Sequence, residues 1–179
     1  MAKQKYNRAD MLQTARDIIR EKGAAKLTIQ EVATRIGATK GAILHWYPSK
    51  LALIDAVVSS QIDDWDARYD ENASRDPSPN AALLTYLKTW EEHYEEQASY
   101  AEAVLLLLAE EPDRLASVRE AYSRYSRPYL KQADHNFDPL LLWLACEGLE
   151  ALRLLKLLEV SPKLRTKIYA EIRSRATSL

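Results

Sequence analysis

Thr39, Lys40 and Gly41 carry the clearest chemical signal in this 179-residue chain. They lie just past Gly37, and apolar spacing puts them in the first turn of a short helix running to about Trp46. The first turn of a helix has N–H groups without intrahelical partners and the positive end of the dipole, which together favour phosphate. Lys40 adds a charge-assisted donor, and Gly41 lets another backbone come close. That is recognition of a polyanion rather than catalysis. The charge distribution agrees: residues 1–50 carry a balance of +6 and residues 51–179 a balance of −7, under a net charge of −1. A basic end on an acidic body suits nucleic acid, although incidental surface charge gives the same arithmetic.

Catalytic constellations are missing from the sequence. The residues three before His45, His93 and His135 are Ala42, Trp90 and Gln132, so the Glu-x-x-His pairs of a helical di-iron site are absent. There is no His-Glu-x-x-His, no Gly-x-Ser-x-Gly, and no glycine-rich phosphate loop, with Gly37-x-x-x-Gly41 having the wrong spacing. We expect no enzyme, no metal and no cofactor. Glu91, Glu92, Glu95 and Glu96 form a solvated helix face. The single cysteine, Cys146, excludes an internal disulfide, and its apolar surroundings predict an inert buried thiol. No signal-peptide pattern opens the chain, and its apolar runs are too short to span a bilayer. The expectation is a cytoplasmic protein without membrane contact.

Helical periodicity recurs along the chain, and strand alternation is hard to find. Asn7 and Asp10 resemble a cap for a first helix with Leu12, Ala15, Ile18 and Ile19 inside and Gly23 at its end. Thr28 and Glu31 form a capping box for residues 28–36, where Ile29, Val32, Ala33 and Ile36 share one face. Gly37 permits a left-handed turn into the helix capped by Thr39, and small Ala33 allows the two to cross closely. Ile29, Val32, Ile36 and Ile43 make their shared core. This is a helix-turn-helix, whose second helix enters a major groove. A long helix follows from Lys50, with Leu53, Ile54, Val57, Val58, Ile62, Trp65 and Tyr69 inward. Residues 72–79 read as a loop, 101–109 as a short apolar helix, and Pro128 as a kink. Asp138-Pro139 and Ser161-Pro162 open helices of about 139–159 and 162–176. The fold class is all-α, about nine helices: a three-helix DNA-binding segment over 1–49 joined to a helical bundle over 50–179.

The pattern Thr28-x-x-x-Val32-Ala33-x-x-Ile36-Gly37-Ala38-Thr39-x-Gly41-x-Ile43-x-His45-Trp46-Tyr47-Pro48-Ser49-Lys50-x-x-Leu53 resembles the signature of TetR-family transcriptional regulators. The resemblance covers about residues 8–55, and the rest agrees in layout. It implies that Thr28, His45, Trp46 and Lys50 hold phosphates, while Thr39, Lys40, Gly41 and Ala42 face base edges or adjoining backbone. Lys40 contacts a guanine or a phosphate. Trp46 is either a phosphate contact or a partly buried helix-end aromatic. Leu44 stands where the family usually has Tyr and cannot donate that residue's hydrogen bond to the DNA backbone. Tyr47 stands at the family's usual Phe and reads as core. Lys3, Lys5 and Arg8 form either a DNA-reaching arm or a solvated tail.

The same resemblance implies a ligand-responsive regulator, most simply a repressor, that binds a palindromic operator as a homodimer. Leu141, Leu144, Gly148, Leu152 and Leu155 would form the dimer face, unless Gly148 only accommodates an intrasubunit neighbour. Tyr86, Trp90, His93, Tyr94, Tyr122, Tyr125, Tyr129 and Trp143 would supply a small-molecule effector site, or else a core of satisfied aromatics. The alternative function is a helical protein-interaction module without sequence-specific DNA binding.

Overall fold

A computed structural model of the chain describes residues 7–73, 80–92 and 94–179, leaving aside the side chains of 94–98. Among the described residues there are nine α-helices and no strand: α1 Arg8–Lys22, α2 Ile29–Ile36, α3 Lys40–Trp46, α4 Lys50–Ala73, α5 Ala81–Glu92, α6 Tyr94–Glu110, α7 Ala116–Gln132, α8 Asp138–Leu154 and α9 Pro162–Thr177. The expected all-α class is the one found. Residues 1–63 with 95–119 form one compact unit, and residues 64–94 with 120–179 form a second. This division by compactness falls within α4, whereas the boundary expected at 49/50 is one of function.

In the first unit, the cap of α1 is complete. Asp10 N–H donates to Asn7 Oδ1 at 2.9 Å, and Asn7 N–H donates to the Asp10 carboxylate at 3.0 Å. The buried stripe is Met11, Ala15, Ile18 and Ile19. Leu12, expected inside, is half-buried; Met11 completes the i, i+4, i+7 spacing instead. At α2 only half of the expected capping box forms. Thr28 Oγ1 accepts from Glu31 N–H at 3.1 Å, but the Glu31 carboxylate takes Lys22 at 2.6 Å and Arg35 at 2.9 Å. A surface ion network has captured the group that would have closed the box. Gly37 adopts the left-handed region, φ 67° and ψ 30°. Its N–H reaches Thr34 O at 3.3 Å and the Ala38 N–H reaches Ala33 O at 2.8 Å, so the last carbonyls of α2 are satisfied through the turn. Ile29, Val32, Ala33 and Ile43 are buried between α2 and α3, as expected, while Ile36 is only half-buried. Each fully buried aliphatic side chain contributes about 1.5–3 kcal/mol, which sets this angle between two short helices. Leu53, Ile54, Val57, Val58 and Ile62 of α4 lie in the same unit and are buried.

The second unit has an aromatic core. Leu83, Tyr86, Leu87 and Trp90 of α5 pack with Tyr129, Trp143, Cys146, Tyr169 and Ile172 from α7, α8 and α9, and Trp65, Tyr69 and Tyr125 pack against them. Asn72 and Ala73, read from sequence as loop, belong to α4. The buried Asn72 amide donates to Thr89 Oγ1 at 3.1 Å, a tertiary contact that outweighs Asn's turn preference. The rest of the expected loop, 74–79, lies outside the described residues, as do Lys3 and Lys5. The apolar helix expected at 101–109 begins earlier, at Tyr94. Helix α7 continues through Pro128. Helix α9 starts as expected, with Ser161 Oγ accepting from Leu164 N–H at 3.2 Å and Pro162 in the first helical position.

Helix α8 departs from expectation at both ends. Asp138 is helical rather than the cap, and its N–H donates to Asn136 Oδ1 at 3.0 Å. The helix expected to reach 159 stops at Leu154, because Lys156 turns to φ +56°. Lys156 N–H then bonds Arg153 O at 2.9 Å, and Leu157 N–H bonds Leu152 O at 2.8 Å. These are the closing bonds usually built around glycine, made here by a lysine.

Candidate nucleic-acid interface and effector cleft

Helix α3 presents most of the predicted contact residues at the surface. Thr39 is exposed, and its Oγ1 accepts from Ala42 N–H at 3.2 Å. That caps the third helical N–H and leaves those of Lys40 and Gly41 facing outward. Lys40 is exposed and has no ion pair among the described residues. Gly41 and His45, four residues apart, stack on one exposed face. A Cβ at Gly41 would meet only Thr39 Oγ1, at 4.0 Å, so nothing in the chain's own fold requires glycine there. Ala42 and Leu44 are half-buried. Trp46 is 47% exposed and meets the His45 ring edge-on at 5.8 Å. A large aromatic this open is available for contact. Tyr47 is buried, as expected of core, and its hydroxyl accepts from Arg8 Nε at 3.1 Å. Arg8 is thereby tied to the helical segment rather than extended as an arm.

Two predicted phosphate-holding residues already have internal bonds. Thr28 caps α2, and Lys50 Nζ donates to Ala25 O at 2.6 Å, anchoring the start of α4 to the turn at residues 24–26. Each keeps spare donor capacity, since an ammonium has three protons and a hydroxyl one. Many other cations of this unit are spent on carboxylates: Arg20 on Asp17, Lys22 on Glu31, and Arg35 on Glu21 and Glu31. The Lys22–Glu31 and Arg35–Glu21 pairs tie α1 to α2. Hydrogen bonds from Lys22 and Arg35 hold the Glu31 carboxyl below its usual range, and Arg35 does the same for Glu21.

In the second unit, the aromatic residues are core, cleft wall or both, since Tyr86 and Tyr129 are buried in the core cluster and also border the cleft. Trp90 and Trp143 are buried within the core cluster, while Tyr122 is 40% exposed. His93 and the Tyr94 side chain lie outside the described residues. Tyr86, Tyr125 and Tyr129 line a cleft of about 340 Å³ together with Tyr69, Asp66 and Asp70 of α4. The volume is at the small end of the range for small-molecule sites. Tyr86 and Tyr125 rings lie 6.1 Å apart, and Tyr69 and Tyr125 6.4 Å apart. Trp65 and Trp143 bury indole N–H groups with no hydrogen-bond partner among the described residues.

Sequence reasoning missed the carboxylates of this unit. Glu147 accepts from the Tyr86 and Tyr122 hydroxyls and the Trp90 indole; burial pushes its carboxyl above the usual range, and the three donors partly offset that. Glu150 is 1% exposed, pairs with Arg153 at 2.7 Å and accepts from the Tyr169 hydroxyl at 2.9 Å. Glu147 and Glu150 sit one turn apart on the same face of α8 as Trp143 and Cys146. That spacing was the available signal. Cys146 is buried and its thiol is pushed up to about 12, so it is inert at neutral pH. On the opposite face of α8, Leu141, Leu144, Gly148 and Leu152 are exposed, and Leu155 lies just beyond the helix end. A Cβ at Gly148 meets nothing within 4 Å, so no neighbour among the described residues needs that glycine. Among the described residues no acidic, His or Cys group is arranged to hold a metal, and no helix is long and apolar enough to cross a membrane.

Comparison with known proteins places both parts of the chain. Residues 11–57 match the family model for bacterial regulatory proteins of the tetR family, and residues 80–177 match a tetracyclin repressor-like C-terminal domain. No curated protein matches the sequence. Among solved structures, SCO7518 from Streptomyces coelicolor A3(2) is similar with a TM-score of 0.69 at 21% identity, covering 96% of this chain and 98% of that one. The ketosteroid transcriptional regulator KstR2 of Mycobacterium tuberculosis gives a TM-score of 0.63 at 14% identity, covering 98% and 95%. A TetR/AcrR-family regulator from Thermobifida fusca YX-ER1 gives 0.63 at 22%, covering 95% and 96%. At these identities the likeness is one of fold.

Proposed function

Because the chain belongs to the TetR family of bacterial regulatory proteins, with a DNA-binding helix-turn-helix and a ligand-binding C-terminal domain, we propose that it is a cytoplasmic repressor released from a palindromic operator by a small molecule. It binds its ligand without transforming it. The observation that carries this reading is α3: a helix set by the left-handed turn at Gly37, with Lys40, Gly41, His45 and Trp46 exposed along it. Lys40 and Gly41 approach base edges with Thr39 and Ala42, while Thr28, His45, Trp46 and Lys50 hold phosphates. With Leu44 in place of a hydroxyl donor, His45 and Trp46 carry more of the backbone contact.

Two copies pair through the open face of α8, where Leu141, Leu144, Gly148, Leu152 and Leu155 meet their twofold equivalents. A twofold protein reads a twofold site, with α3 helices about one DNA turn apart. The effector occupies the cleft bounded by Tyr86, Tyr125 and Tyr129. Helix α4 carries the chain from the unit holding α3 to the unit holding that cleft. A ligand that favours one position of α4 shifts the population of DNA-competent dimers, a coupling typically worth 1–3 kcal/mol.

The test is binding of the purified chain to duplex DNA from upstream of its own gene, in competition with random duplex. Lys40→Ala should relax preference at one base position, and Lys50→Ala should weaken all sequences alike. Equal affinity for upstream and random duplex would refute the operator claim.

A further inference from the structure

The cleft of the second unit has a chemical bias that its aromatic walls alone do not explain. Three of its four tyrosines direct their hydroxyl protons to acceptors of the chain itself. Tyr125 donates to Asp66 Oδ1 at 2.6 Å, Tyr86 to Glu147, and Tyr69 to Ala82 O at 3.4 Å. A phenol whose proton is committed offers its remaining lone pair. A ligand therefore finds ring faces and acceptors, with few donors. The charges on the lining point the same way. Asp70 is exposed, has no ion pair among the described residues, and adds to the burial that raises the Tyr69 hydroxyl above its usual range. Arg124 is the only cation lining the cleft among the described residues, and its guanidinium is bound to Asp66 and lies 5.7 Å over the Tyr125 ring. The chain's own cation thus sits between a carboxylate and an aromatic face.

We propose that this cleft selects an organic cation with an apolar body, an ammonium or amidinium whose charge sits against Asp70 and the tyrosine rings. The inference rests on the reading of this cleft as the effector site and names the chemical class of that effector. A cation gains ring faces and a carboxylate without breaking an existing pair. An anion would have to take Arg124 from Asp66 and face the remaining carboxylates, and a neutral ligand would gain nothing from the Asp70 charge. The about 340 Å³ available suits one ring system with a short chain.

Three probes of one skeleton test it on the full chain by calorimetry: 4-phenylbutylammonium, 4-phenylbutan-1-ol and 4-phenylbutyrate. The ammonium should bind about tenfold tighter than the alcohol, and the carboxylate weakest. Asp70→Asn, a surface change that leaves folding intact, should cut the ammonium's advantage about threefold. An alcohol or carboxylate that binds as well as the ammonium, or no binding by any probe, overturns the proposal. A cation preference untouched by Asp70→Asn means that the ligand's charge does not sit against Asp70, and overturns it too. DNA affinity measured with each probe separates the two readings. Ammonium binding that leaves DNA affinity unchanged refutes the effector role while the cleft's cation selectivity stands.

Discussion

The open face of α8 makes a quantitative prediction about assembly. Leu144 is 49% exposed and Leu152 43% exposed in the single chain. Full burial of a leucine is worth about 2 kcal/mol relative to exposure, so closing the remaining half contributes about 1 kcal/mol for each. Two leucines on each of two subunits give about 4 kcal/mol, or about three powers of ten in dissociation constant. Replacing both by Glu removes that gain and adds the cost of placing charge at a dry interface. Glu forms helix about as well as Leu, and both positions face outward, so the fold should survive. Sedimentation velocity across about four decades of concentration is the assay, with far-ultraviolet circular dichroism as the check on folding. The double variant should be monomeric at concentrations where the parent is dimeric. If its dissociation constant stays within about threefold of the parent, while the helical signal is intact, the dimer face is wrongly placed.

Other outcomes follow from particular residues. Lys156→Gly should raise stability by about 1 kcal/mol in urea denaturation, because a left-handed residue other than glycine carries a steric cost of that order; an unchanged or lower midpoint would refute that cost. Glu147→Gln should flatten the pH dependence of stability above the ordinary carboxylate range. The folded chain holds this proton more tightly than the unfolded one, so the parent loses stability as pH rises through the raised value. A parent and variant with parallel pH profiles would remove Glu147 as the cause. The Glu21, Glu31 and Arg35 network has the opposite sign. Those carboxyls are held low, so their contribution is present above the ordinary carboxylate range and fades as pH falls through their lowered values. Arg35→Ala should reduce that acid dependence in thermal melts.

The first three helices were legible because their signals are local. Caps at Asn7, Thr28 and Thr39 and the turn at Gly37 each act within a few residues, and the structure contains all four. Local reasoning failed where tertiary contacts outbid it. Glu31 left its capping box for Lys22 and Arg35, and Asn72 was drawn from a predicted loop into α4 by Thr89. The end of α8 was hidden because a lysine takes a conformation that sequence rules assign to glycine. In the candidate effector site, the family resemblance pointed to the aromatic body, but nothing local in the sequence says which of its aromatics border a cleft and which are only core. Asp66 and Asp70 went unnoticed because acidic residues on a long helix look like a solvated face. Glu147 and Glu150 escaped for the same reason, although their register with Trp143 and Cys146 puts them inside.

Every assignment on α3 rests on its recognition of DNA, and salt titration is the sharpest test of that recognition. Affinity for upstream duplex should be measured by fluorescence anisotropy from 50 to 200 mM salt. With about eight phosphates neutralised per dimer, affinity should fall by about 10³–10⁵ over that range. Lys50→Ala should lower the slope by about one or two, as one phosphate contact is lost from each subunit, while Lys40→Ala should relax preference at one base position. An affinity independent of salt, or a sequence preference unchanged by Lys40→Ala, would contradict the assignment of α3 as the reading helix.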